Sequence, residues 1–114
     1  MNHRRLKCYE KLLALAQRMP KLTARIPRGN WYIVDQLKRA LASAILNLAE
    51  GNGRTSPKER ARFFDISLAS IAESASAIDV LEAYCLISRS EAIDFVEELR
   101  IAYAMIRNLK KYAP

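Results

Sequence analysis

The sequence predicts an all-α fold, an antiparallel up-down-up-down four-helix bundle, on three observations. Only three glycines and four prolines punctuate 114 residues, too few breakers for the many turns of a β protein. Apolar side chains recur at three- and four-residue intervals through long runs rich in Ala, Leu, Arg, Lys and Glu, which is the helical period. Serine-led start signals at Ser56 and Ser88 leave short links between the last three helices, and short links make neighbours antiparallel. The length is that of one domain, residues 1–114, and a hydrophobic content of 51% fills a single core.

The first helix is expected from about Arg4 to Arg18, where Leu6, Tyr9, Leu13 and Ala16 repeat at helical spacing with Leu12, Leu15 and Met19 beside them. Pro20 and Pro27 bracket a connection, since proline lacks an amide proton and restricts the residue before it. A second helix from about Asn30 to Glu50 carries an apolar face of Val34, Leu37, Leu41, Ala44, Ile45 and Leu48. Gly51 is placed just past its end, where a left-handed backbone suits glycine, and Asn52-Gly53 completes a tight turn. Ser56, Pro57 and Glu59 read as cap, first-turn proline and capping-box acid of a third helix. Its inner face is Phe63, Ile66, Ser67, Ser70, Ile71, Ala77, Ile78, Leu81, Tyr84 and Cys85, ending near Leu86. On another side Ala69, Ala72, Ser76 and Ala83 are small enough for a neighbouring helix, of this chain or of another subunit, to come close, although alanine also simply favours a helix. Ser88 and Glu91 repeat the capping box and open a fourth helix through Ile93, Val96, Leu99, Tyr103, Ile106 and Leu109 to about Tyr112.

Several function classes are set aside by composition. No run of eighteen apolar residues lacks a charge, so a membrane span is not expected, and the basic N-terminus has no apolar core or cleavage site of a secretion signal. The expected location is cytoplasmic. Cys8 and Cys85 have no thiol or histidine at metal-ligand spacing and read as small core residues. A lone imidazole, His3, supplies neither a catalytic pair nor a zinc site. No metal or other cofactor is expected.

Two features remain that ask for a role. The first is a polar line down the second helix: Gln36, Arg39, Ser43, Asn47 and Glu50 fall within an arc of about 80° at 100° per residue. With Ser70 and Glu73 of the third helix they read as a network fixing helix register. Glu50 and Glu73 could instead form a carboxylate pair for acid–base or metal chemistry, but the Glu-x-x-His spacing of a di-metal bundle is missing. The second is charge. The net charge is +7, and residues 1–29 hold eight basic side chains against Glu10 alone, whereas the only charged residues of 63–88 are Asp65, Glu73, Asp79 and Glu82. An antiparallel bundle gathers the start of the first helix, the turn from second to third and the end of the fourth at one pole. Arg4, Arg5, Lys7, Arg54, Lys58, Arg60, Arg62, Arg107, Lys110 and Lys111 would meet there and attract a polyanion by counterion release.

A simpler account is that Lys and Arg near helix ends solvate the surface, and that Arg107, Lys110 and Lys111 favour the negative end of their own helix. No recognition helix or aromatic stacking signature accompanies the charge, so the expected contact is with RNA or DNA backbone and not with sequence. The Gly51-Asn52-Gly53-Arg54 turn before a helix could cradle a phosphate, but it lacks the Lys-Ser/Thr pair of a P-loop.

The run Gln36-Leu37-Lys38-Arg39-Ala40, with Ser43, Asn47-Leu48-Ala49-Glu50-Gly51, Gly53-Arg54, Ser56, Lys58-Glu59, Phe63 and Ser70, resembles the four-helix-bundle proteins encoded in intervening sequences of bacterial large-subunit ribosomal RNA genes. The resemblance spans about residues 6 to 112. It implies four antiparallel helices, a homo-oligomer in the form of a five-subunit ring, and an architectural role for Gln36, Arg39, Ser43, Asn47, Glu50 and Gly51. The same fold is that of the accessory variability determinant of diversity-generating retroelements, a basic pentamer that binds nucleic acid and works with a reverse transcriptase. The chain departs from the family pattern at Ala69-Ser70, where glycine commonly precedes the serine. The expected function is a non-enzymatic, oligomeric, basic bundle that binds RNA or DNA and assists a retroelement reverse transcriptase. The rival is a protein interaction scaffold without a direct nucleic-acid role.

Overall fold

The computed structural model describes residues 2–112, and within them the chain is helical with short links. After a 3-10 turn at Asn2–Arg5 come α1 (Lys7–Thr23), a second 3-10 turn at Arg28–Asn30, α2 (Trp31–Gly53), α3 (Pro57–Ala83) and α4 (Arg89–Tyr112). The molecule is a rod of 45 × 22 × 21 Å.

Pairs of contacting residues give the directions. Gln36 meets Glu73, Ser43 meets Ser70, and the Ala44 carbonyl meets Ser67. One number rises as the other falls, so α2 and α3 are antiparallel. Ion pairs do the same for α1 and α4, through Lys11–Glu98 and Arg18–Asp94, and Arg25 of the link after α1 continues the order with Glu91. Arg89–Glu82 and Lys110–Asp65 join opposite ends of α4 and α3 in the same sense. The up-down-up-down order therefore follows from the contacts themselves.

Burial explains each helix. On α1 the buried residues are Cys8, Leu12, Leu15, Met19 and Thr23; Leu13, expected on the inner face, is 38% exposed. Pro20 does not open the connection expected from its missing amide proton, and Met19 remains helical. Pro20 is exposed while Met19 and Thr23 on either side are buried. Packing of that face carries the helix one turn further, and Thr23 Oγ1 donates to the Met19 carbonyl at 3.0 Å. The link to α2 is pinned by Ile26, which is buried and whose carbonyl accepts from Trp31 Nε1 at 2.9 Å.

The predicted face of α2 is buried in full, with Ile33, Ala40 and Gly51 added. Gly51 lies inside the helix, not beyond it, and no glycine has a positive φ among the described residues. A Cβ at Gly51 would stand 2.7 Å and 2.8 Å from ring carbons of Phe64 and 3.1 Å from Cβ of Phe63. This glycine serves close helix approach, and the predicted turn at Asn52-Gly53 is the last turn of α2.

Ser56 caps α3 as expected, its Oγ accepting from the Glu59 amide at 3.4 Å, while the Glu59 carboxylate turns to Arg62 at 3.1 Å. Phe64, Leu68 and Ser74 join the buried face of α3. Tyr84 and Cys85, expected to be internal, are exposed. They form the stop of α3: Cys85 has φ 61°, its amide donates to the Glu82 carbonyl, and the Leu86 amide donates to the Leu81 carbonyl. That is a Schellman closure with cysteine where glycine is usual. Helix α4 starts with a complete capping box, Ser88 N to Glu91 Oε1 at 2.9 Å and Glu91 N to Ser88 Oγ at 3.0 Å. Its buried line is Ala92, Phe95, Leu99, Ala102 and Ile106, and Ile93 is 57% exposed.

Candidate functional site

The polar line on α2 resolves into a ladder against α3. Ser43 and Ser70 hydroxyls are 2.8 Å apart, and Asn47 Nδ2 donates to the Ser43 carbonyl at 2.8 Å and hydroxyl at 3.1 Å. Gln36 Nε2 donates to Glu73 at 3.0 Å. Two members escaped the sequence reading, because serine at helical spacing does not reveal its partner: Ser67 Oγ donates to the Ala44 carbonyl at 2.7 Å and Ser74 Oγ to the Ser70 carbonyl at 2.9 Å. Small side chains let the hydroxyls reach across, and each buried hydroxyl is satisfied. Two expected members do not join. Glu50 accepts from Arg54 of its own helix end at 2.9 Å, and Arg39 is exposed with no polar partner among the described residues. Glu50 and Glu73 thus take separate partners.

The cationic residues are placed by the helix directions. Arg60 donates to the carbonyls of Asn52 at 3.0 Å and Arg54 at 3.2 Å, so the end of α2 lies against the start of α3. Lys110 pairs with Asp65, bringing the end of α4 to the same region. The start of α1 points the same way as the end of α4, given the opposed order of their ion pairs. Arg4 is exposed; the side chain of Arg5 lies outside the described residues.

The contributions of these cations are unequal. Arg54 and Arg62 guanidiniums lie 5.0 Å and 4.8 Å from the Phe63 ring centroid, and each holds a carboxylate, Glu50 and Glu59. Lys7 faces Glu10 at 3.7 Å. Arg60 is half-buried, 5.5 Å over Phe64, and serves the carbonyls that α2 leaves unpaired at its end. Its Nε is buried without a partner among the described residues. Arg60 is therefore a bundle residue, not the surface contact that its place in the cationic run suggests. Arg4, Lys58 and Arg107 are exposed and have no acidic partner among the described residues, and Lys111 is exposed beside them.

Two of the concavities among the described residues bear on function. A cleft of about 520 Å³ between α3 and the end of α4 is lined by Leu68, Ala104, Arg107, Asn108, Lys110 and Lys111. An apolar groove of about 360 Å³ between the start of α2 and the end of α3 includes Tyr32, Ile33, Val80 and Tyr84, with Gln36 and Glu73 at its edge. Partial desolvation, then the adjoining Tyr84 phenol, push Tyr32 above the usual tyrosine range. Burial likewise raises the Cys8 thiol. Among the described residues no cluster of His, Cys, Asp and Glu could hold a metal, and no helix is long and apolar enough to cross a membrane.

Fold, register ladder and cationic helix ends together define a basic four-helix bundle. The chain belongs to the 23S rRNA-intervening sequence protein family, whose model matches residues 4–108. That span takes in α1, α2, α3 and α4 as far as Asn108. No curated protein matches the chain.

Proposed function

We propose that the protein is a non-enzymatic, oligomeric, basic bundle that binds the phosphate backbone of RNA or DNA without reading sequence, using the end of the rod formed by the α2–α3 link and the end of α4. One observation carries this reading. Segments 4–10, 50–65 and 107–111 hold ten of the nineteen basic residues but only Glu10, Glu50, Glu59 and Asp65 of the twelve acids, which accounts for six of the seven net charges. Surface carboxylates beside Arg54, Arg62 and Lys110 are weak partners that a phosphate can replace, because exposed ion pairs are worth about 0–1 kcal/mol. The guanidiniums resting on Phe63 are already ordered, which lowers the entropy lost on contact.

Titration of single-stranded RNA against salt tests it. Each neutralised phosphate contributes about 0.7 to the log–log slope on a single strand, so contact by several cations gives a slope of about −3 or steeper. A slope near zero overturns the reading.

The second reading, a protein interaction scaffold, is favoured by the exposed apolar residues on the outer faces of α2 and α3: Tyr32 at 63%, Leu46 at 67% and Tyr84 at 55%. Assembly of copies into a ring, which the family resemblance implies, would use such a face, and sedimentation at equilibrium distinguishes a ring from a monomer. The finer proposal, service to a retroelement reverse transcriptase, draws on the likeness to the accessory variability determinant. A reverse-transcriptase gene and near-repeated target segments beside this one would support it, and a position inside a ribosomal RNA gene would oppose it.

A further inference from the structure

The ionisable lining of the cleft between α3 and α4 is entirely basic. Arg107, Lys110 and Lys111 lie at i, i+3 and i+4 on α4, and the floor is Leu68 with Ala104 one turn earlier. The negative pole of α4 accounts for cations in its last turns. It does not account for all three lining a single cleft whose remaining walls are an asparagine and two aliphatic side chains. An acid stands close by: Asp65 holds Lys110, with 58% and 38% of the two side chains exposed. Arg107 is exposed and has no acidic partner among the described residues.

We propose that this cleft seats a phosphate of the bound nucleic-acid backbone, Arg107 supplying paired N–H donors and Lys110 exchanging the Asp65 carboxylate for a phosphate oxygen. The proposal deepens the backbone-binding reading and rests on it. Guanidinium offers a planar fork to two phosphate oxygens, whereas the ammonium acts as a compact charge that can swing between acceptors. Asp65 then acts as a competitor: it keeps Lys110 in place when the cleft has no ligand and weakens phosphate binding by the strength of their pair. The volume lies within the range of ligand sites, and the aliphatic floor of Leu68 and Ala104 presents no side-chain acceptor of its own to a phosphate.

The test uses the full chain and a labelled single-stranded RNA. Asp65→Asn frees Lys110 and should tighten binding about two- to threefold, the range expected for release of one exposed ion pair. Arg107→Gln with Lys110→Gln should make the log–log salt slope shallower by about 1.4, two contacts at about 0.7 each. Lys21→Gln with Arg28→Gln, at the other end of the rod, should leave the slope unchanged. All of these positions are exposed or half-exposed, and an unchanged melting midpoint confirms that each variant folds. If wild-type protein binds RNA with a steep slope and neither cleft variant moves it, the cleft is not the seat, while the wider reading survives. If wild type shows no salt-dependent binding, both fall. A nucleoside monophosphate that displaces RNA at matched ionic strength, through the same two residues, would assign the cleft to a free nucleotide and overturn the backbone assignment.

Discussion

A hydrogen atom in place of a side chain at position 51 lets Phe63 and Phe64 lie against the last turns of α2. Phe64 is fully buried, so its ring has nowhere to retreat from a methyl group 2.7 Å away. Helix propensity alone would reward Gly51→Ala by about 1 kcal/mol, whereas overpacking of a filled core costs about 1–3 kcal/mol. The net should be a loss of up to about 2 kcal/mol in chemical denaturation. Gly53→Ala, with nothing within 4 Å of the new Cβ, should instead gain a few tenths, on the order of 0.4 kcal/mol. Opposite signs at two glycines in one helical turn would establish that space, not backbone freedom, selects Gly51. Cys85 presents the reverse case. Its φ of 61° is a left-handed conformation that costs a non-glycine residue about 1–2 kcal/mol, so Cys85→Gly should raise stability by about 1 kcal/mol, read as a higher denaturant midpoint.

At the scale of elements, the capping box of α4 does more than start a helix. Glu91 accepts from the Ser88 amide and also from Arg25 at 3.0 Å, tying the link after α1 to the start of α4. The Ser88 amide, the largest influence, holds the Glu91 carboxyl below its ordinary value of 4.5 against opposing desolvation, with the Ser88 hydroxyl and Arg25 adding in the same downward direction. A carboxyl lowered in the folded state stabilises it above the unfolded pKa and loses that contribution as pH falls through the folded one. Thermal melts should therefore separate wild type from Glu91→Gln near neutral pH and converge as pH drops below about 4.5. Helix starts at Ser56 and Ser88 were legible because side-chain chemistry at a cap is local and specific. Helix ends were less so. Pro20 and Gly51 are breakers by propensity, but burial of Met19 and Thr23 on one side and close packing by Phe64 on the other outweigh it. The face of α2 was readable from its period. On α3 the expected line from Ser67 to Leu81 is buried, as are Leu99 and Ile106 of α4; the expectation is one position off only at Phe63 for Phe64 and at Ile93 for Ala92, because aliphatic and aromatic residues lie on both sides of the true face.

For the molecule as a whole, the four-helix count, the links and the antiparallel order follow from local signals that agree with one another. The cationic set was legible as composition, yet the structure divides it by task. Arg60 belongs to the end of α2, Arg54 and Arg62 are held on Phe63, and the exposed remainder lies in the first 3-10 turn and at the starts of α1 and α3 and the end of α4. No sequence pattern separates an arginine that serves carbonyls from one that faces solvent, since both occupy the same run; only the position of neighbouring helix ends decides. The 45 Å length against widths near 22 Å adds a dynamical consequence to that uneven charge. A slender body weighted with positive charge toward one tip experiences a torque in the field of any polyanion before the two touch. It turns while still diffusing and arrives point first, so fewer collisions are wasted on wrong orientations, and its long flanks are left free for whatever else the molecule must hold.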